Sequence, residues 1–111
     1  MSVRSLQHIA LAVPDPSLGR KFYEDFGLEA RESGASIAMR CAGRNQDQVV
    51  LVEGKKRHQH HISFGTGTAE LKAVKKRLEQ EGVKLLDAPK ETPLDGLWFH
   101  DPDGLLVNVR G

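Results

Sequence analysis

The chain has 111 residues, with Lys and Arg numbering 16 against 15 for Asp and Glu, a formal net charge of +1 that supplies no basic field for a polyanion and removes nucleic acid as an expected partner. At this length a single domain is expected, burying roughly two-thirds of its unfolded surface without disulfides or a structural metal. The lone Cys41 excludes an internal disulfide and a Cys-based zinc cluster and fits a reducing, cytoplasmic setting, while apolar runs such as Ile9 to Val13 fall far below the ~20 residues of a membrane helix, and no secretory signal is visible.

Leu6 to Val13 reads as a mostly apolar strand, stopped by Pro14-Asp15-Pro16. Asp15 is an N-cap candidate with Pro16 at the first helical position, and Leu18, Phe22 and Phe26 recur along one helical face until Gly27 supplies a left-handed stop. Strands are expected at Leu28 to Arg31, Ile37 to Cys41 and Gln48 to Val52, separated by the turn chemistry of Ser33-Gly34 and Gly43-Arg44-Asn45. In the second half, His61 to Phe64 is a strand, and Leu71, Val74 and Leu78 form a helical stripe after a Thr68 cap and before Gly82. Further strands are expected at Val83 to Leu86, Leu97 to His100 and Leu105 to Val109, the last two joined by the tight-turn sequence Asp101-Pro-Asp-Gly104.

Both halves therefore read βαβββ, in modules of about residues 4–53 and 58–111. They superpose in sequence: His8-Ile-Ala-Leu11 matches His61-Ile-Ser-Phe64 at a separation of 53, and Lys21 to Gly27 matches Lys76 to Gly82 at 55. One such module leaves an apolar sheet face open, so two must pack, and a cleft can form between them as a binding site.

The repeat makes His8 and His61 equivalent positions near the starts of matched strands, so both imidazoles can converge in that cleft. Two histidines suit a borderline metal once a carboxylate completes the set, but the residue placed to do so on the last strand is Asn108, a neutral and weaker ligand. The alternative is that both histidines are hydrogen-bonded residues lining a core or pocket.

The duplicated order, His8 in Leu-Gln-His-Ile-Ala-Leu, His61 in His-His-Ile-Ser-Phe and the closing Asp101-Pro-Asp-Gly-Leu-Leu-Val-Asn108-Val together resemble the vicinal oxygen chelate superfamily of glyoxalase I, fosfomycin and bleomycin resistance proteins and type I extradiol dioxygenases. The resemblance covers nearly the whole chain and implies an α+β domain in which a curved mixed sheet wraps a cleft. It also implies a divalent metal, Fe(II) or Mn(II), held by His8, His61 and the residue at Asn108, where the family carries Glu. The fourth strand, Gln48-Val-Val-Leu-Val52, lacks the carboxylate of the glyoxalase I design. The stretch Met39 to Glu53 running into His60-His61 is most similar to the N-terminal domain of a two-domain extradiol dioxygenase. That likeness implies a largely non-catalytic half whose parent enzyme cleaves a small aromatic diol. The alternatives are a stand-alone lyase or isomerase, or a small-molecule (antibiotic) binding module, pairing as a homodimer.

His100 sits near the cleft by the same resemblance and is the candidate proton donor or acceptor. His58 and His60 read as surface or turn residues, and Lys55-Lys-Arg57 with the Lys72, Lys75, Lys76 and Arg77 group as solvated faces. Gly65-Thr-Gly67 lacks the third glycine of a dinucleotide fingerprint, Trp98 reads as a packing residue, and Cys41 as a small core residue.

Overall fold

Strand β1, Ser5–Val13, alternates burial along its length, with His8, Ala10 and Ala12 buried on one face and the half-buried Ile9, Leu11 and Val13 on the other. Such a strand needs partners on both edges and cover on both faces. In the computed structural model, which describes residues 3–33 and 36–111, it finds both. It pairs in parallel with β4 (Val49–Glu53) and antiparallel with β5 (His58–Gly65). Strands β2 (Glu29–Ser33), β3 (Ser36–Arg40), β6 (Leu97–His100) and β7 (Leu106–Arg110) complete one seven-stranded sheet in the order β2-β3-β4-β1-β5-β7-β6.

The two halves thus join within one chain across the β1–β5 seam. The register carries an internal two-fold: His8 lies opposite Ser63 and Ala10 opposite His61, while Ala10 pairs with Val50 as Ser63 pairs with Asn108. Helix α1 (Pro16–Asp25) and helix α2 (Thr68–Gln80) supply the connections. The second half departs from the expected order. Val83 to Leu86 forms no strand, because Leu86 alone makes a bridge, to Trp98, before Pro89 and Pro93 turn the chain away.

The helices cover one face. Val74 of α2 packs with Val107 and Val109, flanked by Ile62, Phe64, Leu97 and Phe99. Helix α1 approaches β4 at Gly19, where an added Cβ would meet the Leu51 side chain at 2.8 Å. Its inward stripe is Pro16, Gly19, Arg20 and Tyr23, all half-buried. The apolar stripe read from the sequence points outward instead: Leu18, Phe22 and Phe26 are 66%, 62% and 59% exposed.

The caps follow the sequence at one helix only. The Asp15 carboxylate accepts from the Ser17 amide at 3.0 Å, whereas α2 starts at Gly67 with no side-chain cap, and Thr68 is its first helical residue. In the Asp101–Gly104 turn, the Asp101 carboxylate accepts from the amides of Asp103 and Leu105, both at 2.9 Å. Cys41 is exposed rather than in the core, and the Gly34 half of the first expected turn lies outside the described residues. No helix among the described residues is long and apolar enough to cross a membrane.

Candidate functional site

The face without helices is where the sequence-selected residues meet. Backbone register lines up Arg31, Ala38, Val50, Ala10 and His61 in one row, and His8, Ser63, Asn108 and Trp98 in the next. A β-bulge between Leu6 and His8 interrupts the β1–β5 register, and both Gln7 and His8 border the cleft. The Gln46 amide holds that bulge by donating to the carbonyl oxygens of Gln7 at 2.5 Å and Leu6 at 3.2 Å.

His8 and His61 do converge. Their Nε2 atoms are 2.8 Å apart, with His8 3% and His61 0% exposed. His61 Nδ1 lies 2.8 Å from Nδ1 of His60, whose Nε2 lies 3.7 Å from a Glu91 oxygen. His60 is therefore half-buried in a line of three imidazoles, not a surface residue. Burial pushes the His61 pKa down to about 3, helped by His8, His60 and Arg110. Burial likewise pushes His8 down to about 4, with the Arg110 charge adding to it and Asp47 opposing it. His60 is lowered by burial against the pull of Glu91. Neutral rings are what this line of hydrogen bonds accommodates, since each contact needs one bare nitrogen.

Asn108 takes a different part. Its Oδ1 accepts from the Ser63 hydroxyl at 2.7 Å, and its Nδ2 donates to the carbonyls of Leu97 at 3.1 Å and Asp95 at 3.2 Å. These bonds fasten the connection between α2 and β6 over the module-two half of the cleft. Trp98 lies beneath it, 1% exposed, with its indole N–H donating to Leu94 at 3.0 Å and its ring edge-on to His61 at 4.8 Å. Gly96, at φ +104°, lets the segment lie this close, because a Cβ there would collide with the Val109 carbonyl.

A divalent metal does not fit these residues. Two imidazole nitrogens 2.8 Å apart are near the spacing of adjacent ligands on one ion, so the third donor decides. The Asn108 oxygen is committed to Ser63, the matched position in the first half is Val50, and the Arg110 charge opposes a cation beside the histidines. Among the described residues no group of three or more His, Cys, Asp or Glu could hold a metal. His100 lies at the exposed end of β6 opposite Leu106, outside the lining of the cleft.

The module-one half of the cleft is open, a cavity of about 860 Å³. Ala38 and Val50 line it beneath Arg31 and Arg40, which both bind Asp47, at 2.6 and 2.8 Å. Arg110, Arg44, Lys90 and Thr92 also line it, and sequence reasoning missed all four. For Arg110 a signal existed: two positions after Asn108 on one strand, it shares the Asn108 face.

Asn108→Ala is expected to cost about 3 kcal/mol, since it strands a buried hydroxyl and two carbonyls, against about 1 kcal/mol for Ser63→Ala. Urea unfolding of both variants measures this, and equal costs would remove Asn108 from its fastening role.

The comparisons agree with this architecture. The family model of the Glyoxalase/Bleomycin resistance protein/Dioxygenase superfamily matches residues 5–109. The chain belongs to that superfamily. It is 29% identical over 114 residues to metapyrocatechase 2 of Cupriavidus necator, covering 98% of this chain and 34% of that protein. Among solved structures, it resembles a Mn(II)-bound glyoxalase from Novosphingobium aromaticivorans, with 25% identity, a TM-score of 0.79, and 96% of this chain and 38% of that one covered. A catechol 2,3-dioxygenase superposes over all of this chain and 42% of its own, with a TM-score of 0.83 at 21% identity. The chain thus spans between 34% and 42% of the length of these relatives.

Proposed function

We propose that this domain is the non-catalytic, N-terminal half of a cytoplasmic extradiol-type ring-cleavage dioxygenase. The observation that carries the reading is the fastening of Asn108: the residue in the position of the family carboxylate binds protein groups on both ends of its amide. Fe(II) or Mn(II) and the small aromatic diol would then be held by residues outside this chain. The likeness to metapyrocatechase 2 supports the same class. Association as a homodimer belongs to the proposal as well. It requires no exchange of modules, since β1 and β5 pair within one chain.

The test is metal content by mass spectrometry after anaerobic incubation of the chain with ferrous and manganous salts and desalting. Well below one metal per chain, with no ring cleavage of catechol, is expected. A stoichiometric metal that is lost in His61→Ala would overturn the reading and restore a metal centre to this cleft. A second reading, as a small-molecule binding module, is favoured by the open cavity beside the fastened half.

A further inference from the structure

The lining of the open cavity has a charge pattern that the whole chain does not share. Five cationic side chains, Arg31, Arg40, Arg44, Lys90 and Arg110, face only two acids, Asp47 and Glu91, in a protein of net charge +1. Asp47 is taken by Arg31 and Arg40 together, and the Glu91 carboxylate is exposed, 3.7 Å from the neutral His60 ring. Among the described residues, Arg44, Lys90 and Arg110 have no carboxylate partner. Arg44 and Lys90 are exposed and solvated, but Arg110 is half-buried on the cleft floor, where an unpaired guanidinium loses hydration without gaining a counter-ion. Its charge reaches His8 and His61.

Two further features point to a ligand. Thr92, 4% exposed and part of the cavity lining, has a buried hydroxyl with no hydrogen-bond partner. Ala38, Val50, Pro93 and Leu94 give the same cavity an apolar surface, and its volume of about 860 Å³ is that of a small-molecule site. One inner cation beside apolar walls suits a single negative charge on an apolar body better than a phosphate, which calls for several donors converging on one group.

We infer that this cavity binds a small aromatic carboxylate, with Arg110 holding the carboxylate and Ala38, Val50, Pro93 and Leu94 receiving the ring. The inference is independent of whether the chain is joined to a catalytic half, and it does not involve a metal.

The probe is benzoate, titrated into the 111-residue chain by calorimetry and by amide chemical shifts, with phenol and inorganic phosphate as comparators. Saturable benzoate binding with a Kd on the order of 1 mM or tighter is expected. Phenol should bind at least about tenfold more weakly, and phosphate should not displace benzoate. Arg110→Gln should weaken benzoate about tenfold, Arg110→Lys, which keeps the charge but not the planar fork, should weaken it less than Arg110→Gln, and Arg77→Gln on the far surface of α2 should change nothing. No saturable benzoate binding, equal binding of phenol or of phosphate, or an unchanged Arg110→Gln would each overturn the inference. Should Arg110→Gln fail to fold, the benzoate and phenol titrations of the unmodified chain still decide it. Because these titrations contain no metal, their failure is distinct from that of the metal-content test.

Discussion

Trp98→Ala is expected to destabilise the domain by about 3–5 kcal/mol, the range for removing a large buried aromatic side chain that its surroundings cannot replace. Trp98 is 1% exposed, packs edge-on against His61, and ties down the segment above it through the indole bond to Leu94. A domain of this size would lose about 4–8 °C of Tm for each kcal/mol, so the change is large by calorimetry. Trp98→Phe separates the two contributions. It keeps most of the ring volume but not the N–H, and should cost about 1–2 kcal/mol while loosening the Leu94 side of the cavity. A loss below about 1 kcal/mol in Trp98→Ala would mean that the cleft half beneath that segment is not packed as described.

The second large effect is acid sensitivity. His8 and His61, with pKa values pushed to about 4 and about 3 from the ordinary 6.5, bind protons less readily in the folded chain than in the unfolded one. Between those values and 6.5 the unfolded state holds more protons, so stability rises with pH there. The contribution is present above pH 6.5 and is lost progressively as pH falls toward 4 for His8 and toward 3 for His61. It amounts to several kcal/mol for the pair, comparable with the ~5–15 kcal/mol that stabilises a typical domain. Urea midpoints should therefore drop steeply from about pH 7 to about pH 4.5, and the drop should be shallower in His8→Gln. An unchanged slope in that variant would assign the acid sensitivity to other groups.

The repeat was the most legible feature of the sequence. Equivalence of His8 and His61 placed both imidazoles on one face before any coordinates, since strand periodicity and a 53-residue offset leave little freedom. The resemblance named the superfamily that the comparisons show. Helix α1 marks where such reasoning fails. Its sequence carries two stripes at helical spacing, and apolarity selected Leu18, Phe22 and Phe26, yet packing used Pro16, Gly19, Arg20 and Tyr23. A small residue at Gly19 permits close approach to Leu51, a steric fact that hydrophobicity does not encode.

The cleft was legible in part for a similar reason. Periodicity brought Asn108 to the histidine face but not its partners, because the carbonyls of Asp95 and Leu97 belong to an irregular segment whose path no repeat determines. The Val83 to Leu86 strand failed there as well. Its single bridge at Leu86 leaves the following residues free to fold across the cleft and contribute Lys90, Thr92 and Leu94 to the cavity lining.

The central position of β1 has a consequence for how the domain is made. The strand that carries His8 is made before the other six strands of the sheet, yet its two neighbours are β4, ending at Glu53, and β5, ending at Gly65. An apolar strand with both edges bare must wait for chain that emerges seconds later at ~5–20 residues per second. Its pairings are long-range, which places assembly among the slower topologies, on the millisecond-to-second scale. During translation, β1 therefore stays unpaired on both edges until β4 and β5 have emerged, and its cleft face forms only once both halves of the repeat have been made.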